Sequence, residues 1–297
     1  MACAQLGLPV RAIHVNHHLQ AAAGSMQAHC EAFCMAQGIA LDILHARIDR
    51  QGGQSLEASA REQRYSLIGQ HMRLCGDGRL LLTAHHQDDQ IETTLIALFR
   101  GSGIEGLAGM QSLADWPDVE SGAGRLFVGR PLLGLRRAVI VQEVADFGWA
   151  YVEDPSNADR SFRRNALRLA VLPEIRGHFA QVDASLLRLN RQVSALREEW
   201  RSQAAALVDA CSDESGLLLQ QAVLALPDAQ QQRLLRHWLA KSGIRINEAK
   251  TLELLAQLRR PHGGQRQVAL GWCVRIRQGR MSIQVEQNNS AMGCADD

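Results

Sequence analysis

Along the first 180 residues, apolar and polar positions predict strands and helices in turn. Val10-Arg11-Ala12-Ile13-His14-Val15-Asn16 reads as a strand, and a helical patch over 26–37 follows, stopped by Gly38. Residues 39–46 alternate partly, as a second strand does. Ser55 stands as an N-cap before a helix over 56–72, with Leu56, Ala60, Leu67 and Met72 on its apolar side. Residues 79–84, Arg79-Leu80-Leu81-Leu82-Thr83-Ala84, form a short apolar run, the pattern of a strand buried on both faces of a parallel sheet. A helix over 88–100 then places Ile91, Leu95, Leu98 and Phe99 on one side, and Gly101, Gly103 and Gly106 end it. The first eight residues resemble the last turns of a helix, stopped by Gly7 and Pro9.

Past residue 180 the pattern changes. Leu186, Leu189, Val193, Leu196, Trp200 and Leu207 mark the stripe of one long helix. Two helices, 228–241 and 247–258, follow on either side of Gly243. Val268, Leu270, Trp272, Val274 and Ile276 alternate, as do Met281, Ile283 and Val285, with a turn at Gln278-Gly279; this predicts a β-hairpin. The fold class is therefore α/β: a three-layer, parallel-sheet domain over 1–180, a connecting helix over 181–212, and a smaller, mainly helical domain over 213–297 ending in the hairpin.

Composition narrows the function classes. At 297 residues, 46% apolar and 21% charged, the chain has material for two packed domains. No run approaches the ~20 apolar residues of a membrane helix, and the N-terminus lacks the basic start and apolar stretch of a signal peptide. Seven cysteines without a CxxC pair predict reduced thiols in the cytoplasm rather than a disulfide framework or a zinc ribbon. Net charge is +1, so bulk charge does not announce a nucleic-acid binder. Of the 32 cationic residues, Lys241 and Lys250 are the only lysines, so the placement of arginine is what matters.

The densest chemistry is Thr83-Ala84-His85-His86-Gln87-Asp88-Asp89-Gln90-Ile91-Glu92-Thr93, where a buried strand gives way to a helix. Open α/β sheets bind ligands beyond the carboxyl ends of their strands. Asp88 and Glu92 are i, i+4, and Asp89 and Glu92 are i, i+3, so these acids share a helix face. Such carboxylates suit Mg²⁺ beside phosphates or an ammonium group, and a histidine there suits charge stabilisation or proton movement. The plain alternative is helix capping by Asp and surface histidines. His14-Val15-Asn16-His17-His18-Leu19 ends another strand, and Arg61 and Arg64 are spaced to reach one phosphate together. Arg100-Gly101-Ser102-Gly103 offers backbone close to a ligand. Between 153 and 168, Arg160, Arg163, Arg164 and Arg168 surround Phe162 and Asn165, a composition that suits single-stranded RNA or, equally, a solvated helix face.

Taken in order, His14–Leu19, Glu57–Tyr65, Thr83–Thr93, Arg100–Met110, Arg130-Pro131-Leu132-Leu133 and Asp154–Arg168 resemble the tRNA(Ile)-lysidine synthetase family of N-type PP-loop ATP pyrophosphatases. The resemblance implies an adenine nucleotide alpha hydrolase-like domain over 1–180 and a tRNA-binding domain over 213–297. It implies ATP-dependent ligation of lysine to C2 of the wobble cytidine in a CAU anticodon, through an adenylated tRNA, so that tRNA(Ile) changes from methionine to isoleucine identity. On that pattern His85, Asp89, Glu92, Asp88 and Arg64 are catalytic, and His14, Asn16, His86, Arg61, Arg100 and Gly101 bind the nucleotide. Arg160, Arg163, Arg164, Asn165 and Arg168 bind tRNA, and Asp88 and Asp89 hold Mg²⁺. The implied partners are tRNA(Ile), ATP and lysine, with no membrane, and a homodimer stays open.

One departure stands out. The family's Ser-Gly-Gly-x-Asp-Ser loop, whose amides and helix dipole cradle pyrophosphate, has no counterpart in these 297 residues. Gly52-Gly53-Gln54-Ser55 lacks the first Ser and the Asp and follows the wrong strand. The favoured expectation is a working synthetase whose first strand and loop would come before Met1. A tRNA-binding fragment or paralogue without catalysis, and another PP-loop tRNA-modifying enzyme such as a thiolase, are the alternatives. Cys30 and Cys34, four apart on a helix, look like packing residues, which counts against a thiolase.

Overall fold

Strand β1 (Arg11–Asn16) runs parallel to β2 (Ala40–His45), and helix α1 (Ala23–Ala36) joins them. Parallel neighbours need such a crossover, because a tight turn reverses the chain. Gly38, at φ +65°, takes the left-handed position just past the helix and lets the chain turn into β2. These features belong to a computed structural model that describes residues 6–18, 21–46, 56–76, 78–116, 125–260, 264–269 and 271–285, the side chains of 56–58 excepted. The Ser55 cap, Leu19, the Gly52–Ser55 segment, the Glu57 side chain and residues 1–5 lie outside the described residues.

Helix α2 (Leu56–Cys75) carries Tyr65, Ile68 and Met72, which form one apolar cluster with Ile13, Val15 and Leu44 of the first sheet and Leu81 and Val128 of a second. That second sheet has the order β3 (Leu80–Leu82), β5 (Phe127–Gly129), β4 (Leu113–Asp115), with β3 parallel to β5 and β4 antiparallel. Among the described residues no ladder joins β1 to β3, so one edge of each is unpaired. This overturns the expectation of a strand buried on both faces. Leu81 faces the cluster, but Leu80 and Leu82 are 50% and 42% exposed.

Helix α3 (Gln87–Phe99) buries Ile91 and Leu95 against Leu167, Leu172 and Leu186. The expected stripe stops there: Leu98 and Phe99 are exposed, and the inner face takes Glu92 and Thr94 instead. The short helix α4 (Ile104–Leu107) follows, then α5 (Arg137–Asp146), which has no buried residue and no clear sequence signal. The arginine-rich segment is one helical stretch: α6 (Arg163–Ala166), a π turn (Leu167–Val171) and α7 (Leu172–His178). A π turn shifts the register of side chains on a helix and is frequent at functional sites.

The long helix α8 (Val182–Ala210) follows. The chain forms two compact units that part at 193/194, inside this helix rather than at 180 and 212. The second unit packs α9 (Gln220–Leu224), α10 (Asp228–Lys241) and α11 (Glu248–Leu258) on a sheet ordered β6 (Leu218–Leu219), β9 (Arg280–Val285), β8 (Trp272–Arg277), β7 (Gly264–Ala269). Asn247 caps α11, its side chain accepting from the Lys250 amide at 2.8 Å. The predicted hairpin is a four-stranded antiparallel sheet. The run over 268–276 breaks into β7 and β8 near Gly271, at φ +75°, while Gln278 and Gly279, at φ +49° and +74°, make the expected tight turn. No helix among the described residues is long and apolar enough to cross a membrane.

Candidate active site

The site lies where β1, β3 and β5 end. His86 is the N-cap of α3: its Nδ1 accepts from the Asp89 amide at 3.4 Å, and its own amide donates to Asp89 Oδ2 at 2.9 Å. This is a capping box with histidine in the usual Ser/Thr place. His86 is thereby a structural residue, and one oxygen of Asp89 is spent on the helix start. The other stands 3.5 Å from Arg168.

His85 is held by Thr83, whose Oγ1 lies 2.8 Å from its Nδ1. Burial, and the nearby Arg130, Arg61 and Arg164 against the opposing Asp89, push its pKa from 6.5 down to about 4. The ring is neutral at pH 7. A neutral imidazole there can donate or accept a hydrogen bond but carries no charge.

The other acids face arginines. Glu92 is 1% exposed and takes Arg168 through Nε at 2.6 Å and Nη2 at 3.0 Å. Arg164 Nε lies 3.1 Å from Glu92 Oε2 without hydrogen-bond alignment, and its Nη2 donates to Thr93 at 2.7 Å. Asp88 accepts from the Arg137 amide at 2.9 Å and from Arg176 at 3.3 Å. Burial alone would raise the Asp88 carboxyl, but that amide, His86 and Arg176 outweigh it and hold it below the usual range.

Several sequence assignments change on this geometry. Glu92 is closed off from any ligand by Arg168 and Arg164, so it anchors the arginine segment. Mg²⁺ does not fit Asp88 and Asp89: both Asp88 oxygens take N–H donors, one Asp89 oxygen caps α3, and no group of three ligating side chains gathers among the described residues. Asn16 is buried, giving its amide to Gln27 and accepting from the His18 amide, so its side chain is held within the loop after β1. Asn165 donates to the carbonyls of Ser156 and Asp159, which occupies it within its own segment. Arg100 and Gly101 sit at the far end of α3, about 20 Å from His86 by the helical rise.

A basic cluster remains. Arg61 lies over the Tyr65 ring at 5.0 Å, and Arg64 feels the charge of Arg61 and lies near His17. His14 lies within β1, and burial, then His45 against the opposing Glu31, lowers its pKa. Arg160 and Arg163 are exposed. The sequence marked Arg130 only as part of a motif. The fold brings it to the end of β5, 8% exposed, beside Tyr65, Arg61 and His85.

Mostly parallel sheets with helices packed on them and polar side chains gathered at the strand ends define an α/β protein of the kind that binds ligands beyond the carboxyl ends of its strands. Residues 2–175 match the PP-loop domain family, and residues 218–281 match the TilS substrate binding domain. The chain belongs to the PP-loop family. It is 36% identical over 269 residues to a tRNA(Ile)-lysidine synthase of Methylococcus capsulatus, covering 90% of this chain and 59% of that protein. With a tRNA(Ile)-lysidine synthase of Azoarcus sp. it shares 37% over 286 residues, 94% of this chain and 60% of the other. The chain thus spans about three-fifths of the length of these relatives. The fold is also that of the U34-tRNA thiolase NcsA from Methanococcus maripaludis, with a TM-score of 0.50, 12% identity and 62% of each chain covered.

Proposed function

We propose that this chain forms the catalytic core of an ATP-dependent ligase that joins lysine to C2 of the wobble cytidine of tRNA(Ile) with a CAU anticodon. The cytidine O2 attacks the α-phosphorus of ATP and pyrophosphate leaves. The lysine amine then attacks C2, losing a proton, and AMP leaves. One observation supports this most: His85 and Asp89 stand with Arg61 and Arg130 at the strand ends of a PP-loop domain whose relatives are tRNA(Ile)-lysidine synthases. The arginines offset phosphate charge. Neutral His85 hydrogen-bonds at the reacting centre. Asp89, whose Oδ1 is not used by the helix cap, takes the amine proton or holds the lysine ammonium. Arg160 and Arg163 face RNA, while Arg164 and Arg168 fix their segment to α3.

The test supplies the absent loop. A relative's strand, Ser-Gly-Gly-x-Asp-Ser loop and following helix are fused before residue 6, and the product is given ATP, labelled lysine and unmodified tRNA. Lysine should enter tRNA(Ile) with CAU and not tRNA(Met), by mass spectrometry of the anticodon. Absence of lysine from tRNA(Ile), in a folded fusion, would contradict the proposal.

The thiolase fold neighbour suggests sulfur transfer as the second possibility. Against it, burial, then Cys34 and Glu31, raise the Cys30 pKa, which favours an inert thiol over a thiolate. Incorporation of sulfur instead of lysine in the same assay would favour that alternative.

A further inference from the structure

Arg130 is buried at the end of β5, yet no carboxylate among the described residues pairs with it. Its Nη1 donates to the Gln111 carbonyl at 2.9 Å, and its Nε is buried without a hydrogen-bond partner. A buried guanidinium without a counter-charge carries an uncompensated desolvation cost. Of its neighbours, Arg61 repels it, while the Tyr65 hydroxyl hydrogen-bonds to the guanidinium and partly offsets its burial without supplying a carboxylate. Arg61 in turn has no carboxylate partner among the described residues and stacks on Tyr65. Two guanidinium groups of like sign thus stand near one another, one of them deeply placed with an unspent donor.

We propose that Arg130 binds a phosphoryl group of the nucleotide directly, with Arg61 as the second arm of the receptor and the Tyr65 hydroxyl orienting the guanidinium. This rests on the nucleotide role proposed above and adds a residue to it. Depth decides the source of the phosphate. At 8% exposure, Arg130 is reached by the end of a polyphosphate chain more readily than by an RNA backbone running along the surface. The same placement ties the receptor to His85, which lies within range of both charges. An arriving dianion offsets them and makes the ring easier to protonate.

The test uses the 297-residue chain with inorganic pyrophosphate, followed by calorimetry and by the NMR titration of His85. In the unaltered protein, saturating pyrophosphate should raise the His85 pKa by a full unit or more. Arg130→Met should weaken pyrophosphate at least tenfold, and Arg130→Lys, which keeps charge but loses the fork, should fall between the two. Equal pyrophosphate affinity in all three proteins overturns the role of Arg130 while leaving the nucleotide proposal standing. Failure of the unaltered protein to bind pyrophosphate overturns the role of Arg130, while the nucleotide proposal stands or falls with the loop-bearing fusion. Loss of a short oligoribonucleotide with pyrophosphate unchanged assigns Arg130 to RNA and overturns the proposal. Should Arg130→Met not fold, the unaltered protein decides alone: a His85 titration indifferent to saturating pyrophosphate overturns it.

Discussion

Arg168 and Glu92 stand 76 positions apart in the chain and meet in a two-pronged ion pair, 2.6 and 3.0 Å long, with Glu92 closed off from solvent. The pair fastens the π turn that carries Arg168 to the helix that carries Asp89, and Arg164 joins it from the same segment. Removing the carboxylate leaves Arg164 facing a cavity without its counter-charge and Arg168 with only the 3.5 Å contact to Asp89. Glu92→Ala should therefore cost about 3–5 kcal/mol of stability, read by calorimetry. A loss below about 1 kcal/mol, the level of an exposed pair, would contradict this role.

His85 predicts acid sensitivity. Its folded pKa of about 4 lies below the 6.5 of a free imidazole. As pH falls through 6.5 the unfolded chain takes the proton and the folded chain does not, so stability falls from there down to about 4 and then levels. His85→Gln should flatten this part of the profile, measured as urea midpoints at several pH values. An unchanged slope in the variant would assign the acid sensitivity elsewhere.

Gly109 holds the loop beside α3. It sits at φ +65°, and a Cβ there would lie 2.7 Å from the Gln90 side chain, which clamps Met110 through its amide and carbonyl. Gly109→Ala meets both a disfavoured backbone and a clash, and should lower stability by about 1–3 kcal/mol. Thermal denaturation within error of the parent would show that the clamp yields freely.

Among the described residues β1 and β3 each keep an unpaired edge, which predicts self-association. Leu80, half-exposed on β3, is the place to blunt one edge. Leu80→Lys should reduce light scattering of concentrated protein without lowering its melting temperature much. A parent protein that stays monodisperse would contradict the prediction.

Local patterns made much of the fold legible. Gly38 and Gly243 marked turns, Asn247 marked a helix start, and Gln278-Gly279 marked a hairpin turn, because each depends on backbone geometry a few residues wide. The half-exposed Leu80 and Leu82 were not legible, since an apolar run does not state whether its strand gains neighbours. The acids of α3 were placed correctly on the helix, but their roles depended on arginines far along the chain. Spacing put Glu92 with Asp88 and Asp89; only the fold puts Arg168 and Arg164 against it. Arg130 carried no signal beyond its motif, because its burial with an unspent Nε donor arises only in the fold.

Asp89 tests the proposed chemistry most directly. Asp89→Asn keeps an oxygen for the His86 amide, so the start of α3 survives while the charge is lost. Lysine incorporation into tRNA(Ile) should be compared between the loop-bearing fusion and its Asp89→Asn form, with melting temperatures measured alongside. A fall of about 10²-fold or more at unchanged stability is the predicted result; near-normal incorporation by the folded Asp89→Asn protein would contradict it.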